Sequence, residues 1–223
     1  MSKESFFSSS IGRKIAVSLT GIFLITFLLV HVGLNATILL NDGGETFNAG
    51  AHFMAYNWLI RVMEVGLFAG FILHIVLTLM LYFQNRTKRP VAYAKVDAKE
   101  NSRWYSRSMA LLGSLLLIFL VIHINQFWSD KLVHVYINGE QQIDAYTMVI
   151  EALRNPINLV IYIGAFIALS YHLLHGFPSA FQTLGWNHKK YTPIIKKLGV
   201  IYSVFVPGLF CIIALAIYFE FVQ

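Results

Sequence analysis

Five stretches of this 223-residue chain are apolar over lengths that fit a bilayer: about residues 15–40, 58–83, 108–129, 156–179 and 198–219. A helix crosses the hydrocarbon layer in about 20 residues, whereas a barrel strand needs only about 9–11. Inside that layer a backbone must satisfy its own amides and carbonyls, which leaves helices and closed barrels as the only spanning structures. Blocks of this length select the helix. The expectation is an all-α membrane protein, a single domain over residues 1–223, with five transmembrane helices in a bundle. Composition agrees, with 57% apolar and 13% charged residues against about a quarter charged in soluble domains.

The charges orient the spans. The chain carries a net charge of +6, and fourteen of its seventeen Lys and Arg residues fall in three places. They are the N-terminus (Lys3, Arg13, Lys14), the 84–107 loop (Arg86, Lys88, Arg89, Lys95, Lys99, Arg103, Arg107) and the 180–197 loop (Lys189, Lys190, Lys196, Lys197). Only Arg61, Lys131 and Arg154 lie toward the other side. By the positive-inside rule the N-terminus is cytoplasmic and the C-terminus outside. Clustering beside apolar blocks makes these charges topology signals and not a nucleic-acid surface. The N-terminus lacks a short apolar core followed by a small-residue cleavage site, so the first block is expected to remain as a span. The outer segments 41–57 and 130–155 hold turn-prone acidic stretches such as Asp42-Gly43-Gly44-Glu45. Pro156 suits the first turn of the fourth span, and Pro207 is expected to kink the fifth.

Against this background four histidines stand out. His31, His74, His123 and His172 lie one apiece near the middle of the first four spans, 43, 49 and 49 residues apart. An ionisable side chain in a membrane is costly and usually functional. A single membrane histidine is commonly a packing or proton-relay residue; four at matched depths point to axial ligands for two haems. His31 and His123 are each about 15–16 residues up from the inner side. His74 and His172 are each about 16 residues down from the outer side. At 1.5 Å per residue the two levels should be roughly 10 Å apart. Two ligands of one haem must share a level, which pairs His31 with His123 and His74 with His172. Bis-His ligation leaves no open iron position, so such haems transfer electrons and do not bind oxygen. Short residues near these histidines (Gly66, Gly70, Gly164, Ala168, Gly21, Gly113) would admit a flat macrocycle, or simply let helices pack closely. Cys211 is the one cysteine. It excludes an intrachain disulfide, a Cys-ligated iron–sulfur cluster and CxxCH haem attachment, so any haem is held non-covalently.

Other polar residues are weaker candidates. His175, one turn beyond His172, could replace it as ligand. His52, His134 and His188 fall in loops, with His52 a possible contact for a haem propionate or a quinone. Arg61, His52 and Lys131 suit outer propionates, and Arg13, Arg103 and Arg107 inner ones. Glu64 is an intramembrane carboxylate in the outer half. It either neutralises Arg61 one turn away or exchanges protons with a quinone.

The pattern resembles the single-polypeptide, five-helix, dihaem cytochrome b anchor of succinate:quinone oxidoreductases, the complex II family. The resemblance covers nearly the whole chain. It rests on His172-Leu173-Leu174-His175-Gly176 with Ser179 and Gly185, on Thr20-Gly21-Ile22-Phe23-Leu24 leading to His31 and Asn35, on Leu73-His74, and on Val121-Ile122-His123. In the family a ligand histidine is followed four residues later by glycine, which favours His172 over His175. The resemblance implies two haems b, menaquinone as the usual quinone, and a bacterial cytoplasmic membrane. It also implies partner flavoprotein and iron–sulfur subunits on the cytoplasmic face, docked on the loops at 84–107 and 186–197, with succinate oxidation or fumarate reduction in the flavoprotein. Those basic loops equally suit anionic lipid headgroups. The alternatives are a cytochrome b of a hydrogenase or formate dehydrogenase, or a haem-free anchor or transporter. The quinol–cytochrome c reductase pattern, two ligands about 13–14 residues apart on one helix, is absent.

Overall fold

The structure, a computed structural model, describes residues 9–87, 103–129 and 144–222. Every regular element among them is helical. The order is α1 (Ser10–Ala36, continued by a 3-10 turn Thr37–Leu40), α2 (Glu45–Tyr56), α3 (Trp58–Thr87), α4 (Trp104–Arg107), α5 (Met109–His123), α6 (Ala145–Arg154), α7 (Pro156–Thr183) and α8 (Thr192–Tyr218). A π-helical turn, Ile124–Trp128, extends α5.

Five of these helices are long and apolar enough to cross a membrane: Ser10–Leu40, Trp58–Thr87, Met109–Trp128, Pro156–Thr183 and Thr192–Tyr218. They match the five expected spans, and the chain is a multi-pass, all-α bundle. Their outward faces are apolar, with Trp58 74% and Val160 71% exposed. In water such a surface would drive association; in lipid it is solvated.

Helix ends extend beyond the apolar blocks. α1 begins at Ser10, α3 reaches Thr87, α7 reaches Thr183, and α8 begins at Thr192. Hydropathy marks the hydrocarbon layer, but a helix stops where capping allows. Ser9 Oγ accepts from Gly12 N at 3.0 Å and caps α1. Asn155 Oδ1 accepts from Ile157 N at 2.9 Å, with Pro156 in the first turn of α7 as expected. Each cap satisfies amides that have no intrahelical partner.

Packing orders the spans as a ring. α1 lies against α3 and α7, and α7 lies against α5. α3 and α5 meet through Trp128, whose ring is 5.1 Å from Phe68 and whose Nε1 donates to Glu64 at 2.6 Å. The four histidine-bearing helices thus run α1–α3–α5–α7 around one axis. His31 faces His123 across one diagonal, and His74 and His172 lie on the helices of the other. α8 carries no histidine and packs on α7 and α1.

The α7–α8 seam shows how a proline is accommodated. α8 continues helically through Pro207. Proline has no N–H, so the carbonyl of Ser203 loses its donor. Ser170 Oγ on α7 donates to that carbonyl at 2.7 Å. Gly199 lets α8 approach: an added Cβ there would stand 3.0 Å from Phe177 Cδ1.

The described parts of the outer connections are more structured than their turn-rich sequence suggests. α2 and α6 form a cap on the outer end of the bundle. Asn48 Nδ2 donates to Asp144 Oδ1, and Asn48 Oδ1 accepts from Tyr146 N, both at 2.9 Å. Phe47, Tyr146, Ile150 and Leu153 bury against Ile38, Ile213 and Ile217. Asp144 caps α6 by accepting from Thr147 N at 3.0 Å. The side-chain bond from Thr147, then its backbone bond, holds the Asp144 carboxyl below its usual range. The cap is therefore at full strength at neutral pH and weakens as pH falls through the carboxylate range.

Gly44 is the pivot of this cap. Its φ is +83°, and an added Cβ would stand 2.7 Å from Tyr146 Cβ. Gly44→Ala therefore combines left-handed strain of about 1–2 kcal/mol with a clash. It should lower the melting temperature of the purified protein; an unchanged melt would contradict this role.

Candidate functional site

The outer pair forms where α1 and α5 approach the axis. The His31 and His123 ring centroids are 5.8 Å apart. Rings enclose them: Phe27 stacks on His31 at 5.4 Å, Phe119 on His123 at 5.5 Å, and Phe210 lies 5.6 Å from His31. Tyr162 on α7 places its hydroxyl 3.2 Å from His123 Nδ1 and donates to Gln126 Oε1 at 2.7 Å. Gln126 belongs to the π-helical turn that follows His123. Such turns widen a helix locally and recur at functional sites.

The inner pair lies lower on the other diagonal. His74 Nδ1 is 3.1 Å from Thr20 Oγ1 on α1, and a Cβ added at Gly21 would meet His74 Cε1 at 3.5 Å. His172 follows Tyr162, the neighbour of His123, by ten residues on α7, which puts it about 15 Å below the outer level. Its Nδ1 is buried with no hydrogen-bond partner among the described residues. Beside it, Tyr171 meets Trp104 at 4.6 Å and Tyr105 at 6.1 Å. His175 Nε2 is 3.5 Å from Ser179 Oγ, on its own helix.

The levels are further apart than the sequence predicts. His74 stands beside Thr20 and Gly21, ten to eleven residues before His31 on α1. At 1.5 Å per residue that is about 15 Å and not 10 Å. The α1–α3 register is set by side-chain interlock, with Phe23 against Gly70 (3.1 Å from an added Cβ) and Gly21 under His74. Counting from the ends of apolar blocks misses that offset. Gly70 thus serves helix packing, whereas a Cβ at Gly66 or Gly164 would meet nothing within 4 Å.

The donor set fits haem. Among the described residues no three His, Cys, Asp or Glu side chains converge as a metal-binding group. A metal at either pair would take two imidazoles from the chain and must bring its other ligands, as a macrocycle does. With metal–imidazole bonds of about 2 Å, two imidazoles on one ion have centroids about 6 Å apart, close to the separation of His31 and His123. At the inner level the orphaned Nδ1 of His172 marks a buried polar atom, which is costly to leave unpartnered.

The remaining candidates separate. Arg61 and Glu64 form an ion pair, the neutralisation expected from their spacing. Trp128, which the sequence reading missed, is the second partner of that carboxylate; only its place at the end of a span hinted at a role. His52 is exposed on α2, its ring 4.4 Å from Tyr56. Arg13 is buried near the start of α1. Arg103 is exposed and donates to Tyr105 OH at 2.8 Å, which brings it near the inner level. Arg107 is exposed at the end of α4. Lys131 and His134 lie outside the described residues. Comparison with protein-family models, curated proteins and solved structures finds no match.

The Trp128–Glu64 bond joins two spans inside the membrane. Trp128→Phe keeps the ring against Phe68 and removes the donor. It should cost about 1 kcal/mol by thermal denaturation in detergent, and much less in a Glu64→Leu background. Equal costs in both backgrounds would show that the bond does not couple the helices.

Proposed function

We propose that this chain is the membrane-anchor cytochrome b of a succinate:quinone oxidoreductase in a bacterial cytoplasmic membrane. It carries electrons between an iron–sulfur subunit and menaquinone. His31 with His123 and His74 with His172 hold two non-covalent haems b. The observation that carries the reading is two histidines on diagonal helices in ring contact at the outer level, with His74 and His172 each about 15 Å lower on the other two helices. A haem held by each pair would supply one-electron transfer.

The chain's own residues do the rest. The Phe27, Phe119 and Phe210 rings keep the outer site apolar and exclude water. The cap built by α2 and α6 closes the bundle above it. Arg103, and Arg13 two turns before Thr20, supply positive charge on the inner side, where haem propionates and the acidic surface of a partner would be neutralised. Glu64, held by Arg61 and Trp128, is the one carboxylate within the outer half of the spans that could exchange quinone protons through its Oε atoms. The dicarboxylate chemistry belongs to a flavoprotein partner on the cytoplasmic face.

Haem content per polypeptide, with reduced-minus-oxidised spectra of the purified protein, tests the proposal. Two b-type haems per chain are expected, together with co-purification of flavin and iron–sulfur subunits. Two haems with a hydrogenase or formate dehydrogenase partner would move the chain to another respiratory complex. A colourless protein would leave an anchor or transporter.

A further inference from the structure

Each histidine pair contains one ring whose Nδ1 is held from a neighbouring span. For His74 the holder is Thr20. Its hydroxyl has one proton, and that proton goes to a helix carbonyl, Ala16 O at 2.9 Å or Val17 O at 3.0 Å. With its proton on a helix carbonyl, Thr20 Oγ1 accepts from His74 Nδ1, 3.1 Å away. The proton therefore sits on Nδ1, and Nε2 keeps the lone pair.

His123 repeats the arrangement with different residues. The Tyr162 phenol donates its one proton to Gln126 Oε1 at 2.7 Å. Toward His123 Nδ1, 3.2 Å away, its oxygen accepts. Again Nε2 is left to bind. The second ring of each pair has no such hydroxyl: His31 stacks on Phe27, and His172 has a buried Nδ1 with no partner among the described residues.

We propose that Thr20 and Tyr162 are positioning residues, one per level, that fix His74 and His123 in the Nδ1–H tautomer and present Nε2 to the metal. Partners of this kind orient a ligating imidazole and raise its basicity. More basic imidazoles favour oxidised over reduced iron, so each hydroxyl lowers the potential of its own site and leaves the other alone. This inference rests on the haem reading above.

The test is potentiometric titration of the haems in the purified complex, for wild type, Thr20→Val, Thr20→Ser and Tyr162→Phe. Thr20→Val should raise the midpoint of the component that His74→Ala removes. Tyr162→Phe should raise that of the component His123→Ala removes. Thr20→Ser should restore the wild-type value. A tenfold loss of preference for the oxidised form reads as about 59 mV for one electron. Unshifted midpoints with both haems bound, or equal shifts of both components in either variant, would overturn the proposal. A wild type without haem would instead overturn the functional reading beneath it.

Discussion

A polar side chain in hydrocarbon must find its partner inside the protein, and the bundle is arranged around that requirement. Water is not there to satisfy an imidazole, so His74 turns to the Thr20 hydroxyl and His123 to that of Tyr162, each on a neighbouring helix. The ring order α1–α3–α5–α7 follows from where those partners are. It puts His31 and His123 across one diagonal and the helices of His74 and His172 across the other.

The same constraint governs lesser polar groups. Ser18, Thr26, Thr78, Ser114 and Thr183 return their hydroxyl protons to carbonyls four residues back on their own helices. That is the cheap solution where no neighbour is near. Ser170 does something different and donates to the carbonyl freed by Pro207. Tyr202 donates across to Ile25 O on α1 at 2.6 Å. These two bonds tie α8, which lacks histidine, to the helices that carry it. The Arg61–Glu64 pair is neutralised within one helix turn and then borrowed by Trp128 to join α3 to α5.

Much of this was legible in the sequence, for physical reasons. Spans are visible because hydropathy over 20 residues is a bulk property of a segment. The approach of His31 to His123 is visible because helical rise turns residue number into depth. Neighbour-specific facts are not visible in that way. The offset between levels depends on Phe23 meeting Gly70 and on Gly21 lying under His74. The outer helices α2 and α6 hide behind glycines and acids that read as turns, although the pattern of Phe47 and of Tyr146, Ile150 and Leu153 carried a buried face. Tyr162 and Thr20 look like ordinary residues of apolar spans until the fold sets them beside Nδ1 atoms.

The central claim is that four histidines make two pairs, not four separate sites. Low-temperature reduced-minus-oxidised spectra of the His31→Ala, His74→Ala, His123→Ala and His172→Ala proteins test it most directly. The account predicts that His31 and His123 remove the same spectral component, and that His74 and His172 remove the other. Loss of a shared component by His31 and His74, or retention of both components in any of the four, would contradict it.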